Sequence, residues 1–144
     1  MTSAGVPKYT LGGSDTVTVS TAVRKGQGVE IDPDNPGKVR PWGAGSTTRQ
    51  GVAKTDGVPP AGNGPDNFAP KRQHIAVAKA PEVQRMVFAA AAKKGDPLVA
   101  ASDGRVTPDP AATALTLVGY CQGGDSTTDP FSVVAGAVGH VELK

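Results

Sequence analysis

Few residues of this sequence have types that do chemistry: His74, His140, Cys121, and the turn run DPDNPG from Asp32 to Gly37. Two imidazoles can share a metal or titrate near neutral pH. No Cys/His cluster at metal spacing supports them, so the competing reading is two strand histidines half-covered by neighbours. A thiol acts as a nucleophile beside a base in a positive environment. Cys121 instead precedes Gln122-Gly123-Gly124 at the end of an apolar run and reads as a small buried filler. Asp32, Asp34 and Gly37 match positions one, three and six of a calcium loop, but Pro36 stands at position five and Gly43 where a bidentate Glu is required. The run therefore reads as a hairpin turn.

Nucleotide motifs fail in the same way. Gly37-Lys38 is followed by Val39, and Asp32 stands where a phosphate loop needs its first glycine. After Gly26-Gln27-Gly28, the third glycine of a dinucleotide fingerprint is replaced by Ile31. Ser126 and Asp129 share a loop without a Gly-x-Ser-x-Gly elbow. A small hydrolase built on Cys121 or Ser126 is thus the weakest reading, and no catalytic residue, metal or cofactor is expected.

The elements that would position these residues are short strands. TVTVSTAV, residues 16–23, alternates apolar with small polar side chains and is rich in β-branched types. Further strands are expected over Val29–Ile31, Lys38–Trp42, Gly51–Ala53, Gln73–Ala78, Leu98–Ala101, Arg105–Thr107, Ala114–Tyr120, Phe131–Val134 and Gly139–Leu143. Asp-Pro-Asp-Asn-Pro-Gly and Ser102-Asp103-Gly104 supply turns between them. Residues 55–70 hold four prolines and three glycines and read as a surface loop. Residues 122–130 form a second loop. The segment from Pro81 to Gly95 carries helix marks, with Pro and Glu first, alanines inside and Gly last. A strand over Gln84–Phe88 followed by one helical turn over Ala89–Lys94 reconciles those marks with the repeat described next.

The chain says the same thing twice. RKGQGVEIDPDNPGKVRP, from Arg24 to Pro41, corresponds to KKGDPLVAASDGRVTP, from Lys93 to Pro108. The correspondence extends over about 60 residues. Thr18 to Gly26 aligns with Val87 to Gly95, Gly37-Lys38-Val39 with Gly104-Arg105-Val106, and Gly51-Val52-Ala53 with Gly119-Tyr120-Cys121. His74 to Val77 aligns with His140 to Leu143, which makes the two histidines equivalent. Each half is too small to bury a core alone, whereas two halves packed together can. The expected fold is all-β with at most one short helix: a small barrel or sandwich of two similar halves, about 16–78 and 84–144, behind an arm of residues 1–15.

Bulk properties agree. The chain has 144 residues, 38% of them hydrophobic, with 19 glycines and 13 prolines, which suits short strands and many turns. A net charge of +2 and scattered aromatics (Tyr9, Trp42, Phe68, Phe88, Tyr120, Phe131) argue against nucleic acid. No apolar run approaches the ~18 residues of a membrane span. One cysteine excludes an internal disulfide. The first residues lack the features of a signal peptide, which implies a chain made in a cytoplasm and leaving it only as part of a larger body.

The ordered, duplicated turns Lys94-Gly95-Asp96, Asp103-Gly104-Arg105-Val106 and Gly119 resemble those of the capsid decoration, or cement, proteins of tailed bacteriophages. The resemblance covers most of residues 16–144. It implies a non-enzymatic virion protein on the outer surface of an icosahedral shell, assembled in the host cytoplasm, with the major capsid protein as partner and often as a trimer. The long 55–70 loop exceeds that pattern. Val6, Tyr9 and Leu11 in the arm are the expected capsid contacts, added as a strand to a partner's sheet; the plain alternative is a tail without a partner. Trp42 either anchors a contact between subunits or caps the domain's own core. The rival function is a phage fibre or tail module whose 55–70 and 122–130 loops grip a glycan or receptor.

Overall fold

The computed structural model describes residues 14–59 and 73–144. The first half holds β1 (Ser14–Val19), β2 (Gly28–Ile31), β3 (Lys38–Pro41), β4 (Arg49–Ala53) and β5 (His74–Ala78). They pair in the order β1-β3-β2-β4-β5, and β5 returns to β1 to close a barrel. The second half holds β6 (Val83–Val87), β7 (Ala92–Lys93), β8 (Pro97–Ala100), β9 (Val106–Pro108), β10 (Leu117–Gly124), β11 (Ser132–Val133) and β12 (Val138–Leu143). Its main sheet runs β6-β12-β10-β8-β9, with β7 and β11 as a separate pair. Among the described residues the helical content is one tight 3-10 turn at Ser102–Gly104.

The pairing pattern of the first half recurs in the second. Val19 pairs with Val39 in parallel, and Phe88 pairs with Val106 in parallel. Every other contact between neighbouring strands of the two five-strand sets is antiparallel in both halves. One irregularity recurs as well: the register slips beside Gly51 on β4 and beside Gly119 on β10. At both glycines an added Cβ would strike the neighbouring strand, 2.2 Å from the Ala78 carbonyl oxygen and 2.1 Å from that of Glu142. A bulge brings two backbones close, and glycine is the residue that permits it.

One part of the sequence alignment is displaced. The Val19 amide donates to the Gln73 carbonyl, and the equivalent Phe88 amide donates to that of Ala137. His74 therefore corresponds to Val138, and His140 to Ala76, two residues away from the expected match. A slip of two leaves every side chain on its original face, so hydrophobic alternation could not detect it.

The expected helical turn over Ala89–Lys94 is absent. Ala92 is buried and pairs with Val133 in the β7–β11 ladder. The Lys94 and Gly95 amides donate to the carbonyls of Phe131 and Cys121, at 2.7 and 2.8 Å. These long-range partners outweigh alanine's intrinsic helix preference, which amounts to tenths of a kcal/mol per residue. Strand boundaries differ as well: β10 begins at Leu117 rather than Ala114 and runs on to Gly124, absorbing the start of the expected 122–130 loop.

The buried residues form two clusters, one within the first half and one in the second half that also takes in Trp42, Val52 and Ala78 of the first. Val19, Val29, Val39, Ile75 and Val77 fill the first. Met86, Phe88, Leu98, Val106 and Val141 fill the second. The two are packed by complementary exchanges of size. Val19 and Ile75 share the core of the first half, while in the second half Phe88 takes the valine's place and Gly139 that of the isoleucine. A Cβ on Gly139 would stand 2.8 Å from the Phe88 ring.

Candidate binding surface

The residues with reactive chemistry are engaged structurally. Cys121 is buried in the second core at the position Ala53 holds in the first. Burial pushes its thiol pKa up, which keeps it protonated and unreactive. His74 Nδ1 lies 2.9 Å from Thr18 Oγ1 on the outer face of the first barrel. His140 Nε2 lies 2.7 Å from Asp125 Oδ1, and the same carboxylate takes Arg85 at 2.5 Å. Hydrogen bonding to His140, assisted by the Arg85 charge, holds Asp125 below the usual carboxylate range. Ser126 hydrogen-bonds Thr128 and the Asp129 amide within its own loop. Among the described residues no three His, Cys, Asp or Glu side chains converge as a metal set.

Asp32 shows how the calcium-like run is used. Its carboxylate accepts from Ser20 Oγ at 2.6 Å, Asn35 Nδ2 at 2.9 Å and the Asp34 amide at 2.9 Å. It thereby ties the end of β1 to the β2–β3 turn. The bonds from Ser20 and Asn35 depress its pKa from 3.8 to about 2. A depressed carboxylate stabilises the fold above its unfolded-state pKa, and that stabilisation drains as pH falls through the folded value. The urea midpoint of the native chain should accordingly fall as pH drops from 3.8 toward 2. Asp32→Asn should start from a lower midpoint and lose less over the same interval. Parallel acid limbs in the two proteins would contradict this role.

Trp42 is not a surface anchor: it is 2% exposed and belongs to the core of the second half, although it follows β3 of the first. Its indole Nε1 donates to the Arg105 carbonyl at 2.8 Å, and the Gly104 amide donates back to the Trp42 carbonyl at 3.0 Å. Gly28 makes room for the ring, since a Cβ there would stand 2.2 Å from it. Trp42 is thus the bolt between the halves, and its burial closes it to another subunit. Asp103 and Gly104, with φ of 59° and 70°, make the tight turn that reaches the first half. Gln27 Nε2 donates to the Asp103 carbonyl and to its Oδ1 at 3.1 and 3.2 Å.

Beside this seam lies a groove of about 660 Å³, lined from both halves. The Arg24–Gln27 turn of the first half forms one wall, and β6 with the Asp103–Arg105 turn forms the other. Val83, Val87 and Val138 on its surface are 52%, 37% and 39% exposed. None of these residues stands out in the sequence as a site. The basic residues beside each Lys-Gly and Asp-Gly turn are visible there, but only the docking of one half on the other brings Arg24 and Lys25 alongside Arg105. The arm residues Val6, Tyr9 and Leu11, and residues 60–70 of the long loop, lie outside the described residues.

No protein family matches the chain by sequence, and no curated protein does. In three dimensions it is similar to the N base of head fiber gp8.5 of bacteriophage phi29, with a TM-score of 0.60 and 15% identity. It shares that base's fold. The likeness covers 91% of this chain and 92% of the phage chain, so it takes in both halves and not one barrel alone. At such identity the side chains of the head-fibre-base fold are free to differ, and the groove is described from this chain's own residues.

Proposed function

We propose that this chain is a structural protein of a phage virion that binds the outer surface of an icosahedral capsid and stabilises it by bridging major capsid subunits, without turnover or cofactor. The observation that carries the proposal is the superposition on a phage head-fibre base over nearly the whole length of both chains. The duplicated turns that resemble decoration proteins point the same way. Supporting it further, Cys121, Asp32 and Trp42 serve the packing of the body itself. In this reading the arm, through Val6, Tyr9 and Leu11, gains order by adding to a capsid subunit's sheet edge. Three copies gather around a local threefold position, where many weak contacts become effective together.

Empty heads assembled from the major capsid protein of the same genome provide the test. The full chain should pellet with such heads in a fixed copy number and raise the temperature at which they rupture. A chain that stays in the supernatant at micromolar concentration would overturn the proposal. That the phi29 neighbour is the base of a head fiber favours a second reading, a fibre module that binds a glycan or receptor through its loops. Binding on a glycan array, abolished by shortening the loop at 125–130, would support that reading instead.

A further inference from the structure

We infer that the groove at the seam is a docking site for an extended acidic segment of a partner protein, with apolar side chains set between its carboxylates. That the partner is a capsid subunit rests on the reading above; the chemistry of the groove does not.

The walls carry an excess of positive charge. Arg24, Lys25, Arg85 and Arg105 line the groove against the single acidic side chain of Asp103. The excess there is larger than the +2 of the whole chain. Asp125 answers Arg85 at 2.5 Å and also holds His140. Among the described residues the Arg105 guanidinium bonds only to the neutral Ser102, through its carbonyl at 3.0 Å and its hydroxyl at 2.8 Å. The side chains of Arg24 and Lys25 make no ion pair or hydrogen bond among the described residues; their backbones are engaged, the two amides by the Gln27 and Asp56 side chains and the Arg24 carbonyl by the Gln27 amide. Among the described residues, then, Arg24, Lys25 and Arg105 face the groove with no ion-pair partner. Complementary potentials steer association and reject partners of the wrong sign.

The floor between those cations is apolar. Val87 pairs with Val138 across β6 and β12, and Val83 lies on the same outer face of β6. Alternation along the strand keeps Gln84 and Met86 on the other face. Exposed valines rimmed by cations suit a chain whose apolar residues alternate with carboxylates. Nucleic acid would require aromatic stacking platforms, and among the described residues no aromatic side chain lines the groove. The β6 edge itself is closed to a new strand at Arg85. Gly26 sits so near that a Cβ on it would be 3.0 Å from the Arg85 carbonyl oxygen. Docking thus depends on side chains rather than on sheet extension, which sets it apart from the arm's proposed mode.

The probes are a labelled peptide, acetyl-Thr-Glu-Val-Glu-Val-Glu-Thr-amide, the same peptide with lysine for each glutamate, and an oligothymidylate. Fluorescence anisotropy with the full chain should show binding of the acidic peptide and little of the lysine peptide or the oligonucleotide. Arg24→Glu with Lys25→Glu should weaken acidic-peptide binding by roughly tenfold or more. Val87→Ser with Val138→Ser should weaken it as well. An unchanged thermal midpoint in each variant shows that the fold is intact. Equal binding of both peptides, binding of the oligonucleotide in their place, or full affinity after charge reversal would overturn the inference. Head co-sedimentation separates the two claims. A chain that takes the peptide but not heads sinks the capsid reading alone, and one that takes heads but not the peptide sinks the groove alone.

Discussion

Replacing Trp42 with alanine is expected to lower stability by about 3–5 kcal/mol, the range for deleting a large buried aromatic. Three losses combine in this variant. The ring leaves a void in the second core, the Nε1 bond to the Arg105 carbonyl disappears, and Gly28 faces empty space where it was pressed against the indole. The Arg105 carbonyl keeps the Ala101 amide as a donor at 2.8 Å, so the void is the larger part of the cost. Because Trp42 holds one half to the other, its removal should also split unfolding into two steps. Urea titration followed by far-ultraviolet circular dichroism measures both effects, since the chain has no other tryptophan to report by fluorescence. A loss below about 1 kcal/mol with one cooperative step, the range of ordinary surface substitutions, would show that the halves are joined elsewhere.

Gly119→Ala should be nearly as costly, on the order of 3 kcal/mol, at the upper end of overpacking penalties. Its Cβ would stand 2.1 Å from the Glu142 carbonyl oxygen and 2.9 Å from the carbonyl carbon, both backbone atoms that no rotamer change can move. Gly51→Ala repeats the experiment in the first barrel, 2.2 Å from the Ala78 oxygen, with a backbone φ of +138° adding strain. Gly37→Ala is the control. It has φ +79° but nothing within 4 Å, and should cost only about 1 kcal/mol. Equal losses at Gly119 and Gly37 would mean that the bulge relaxes easily and that close approach is not what the repeated glycine provides.

Much of this architecture is legible in the residues. Alternation in TVTV finds β1, and Asp103-Gly104 announces its turn because few other pairs accept left-handed backbone twice in succession. The duplication is legible because turn glycines are hard to replace, and Gly26 and Gly95 share the same left-handed geometry, with φ of 92° and 95°. Three things are hidden, each for a physical reason. The two-residue slip at His74 preserves the face pattern on which any reading of alternation relies. The alanines of 89–92 carry a helical preference that only distant partners in β11 and β10 defeat. The groove belongs to neither half, since Arg24 and Lys25 meet Arg105 only when one half docks on the other, and a repeat read as two similar texts says nothing of how they stack.

That stacking is head-to-tail in kind. The first half offers Trp42 and Gly28, the second offers the Asp103–Gly104 turn, and the two contributions are not the same patch. Contacts of this type, if renewed at each end, would propagate into an open filament. The chain carries its own terminators. Asp109 stands in the second half where Trp42 stands in the first, and the six-residue Asp32–Gly37 turn replaces the short one that would have to enter a neighbour. Duplication thus gave a unit that joins once and then stops, a finite block rather than a fibre made by its own seam.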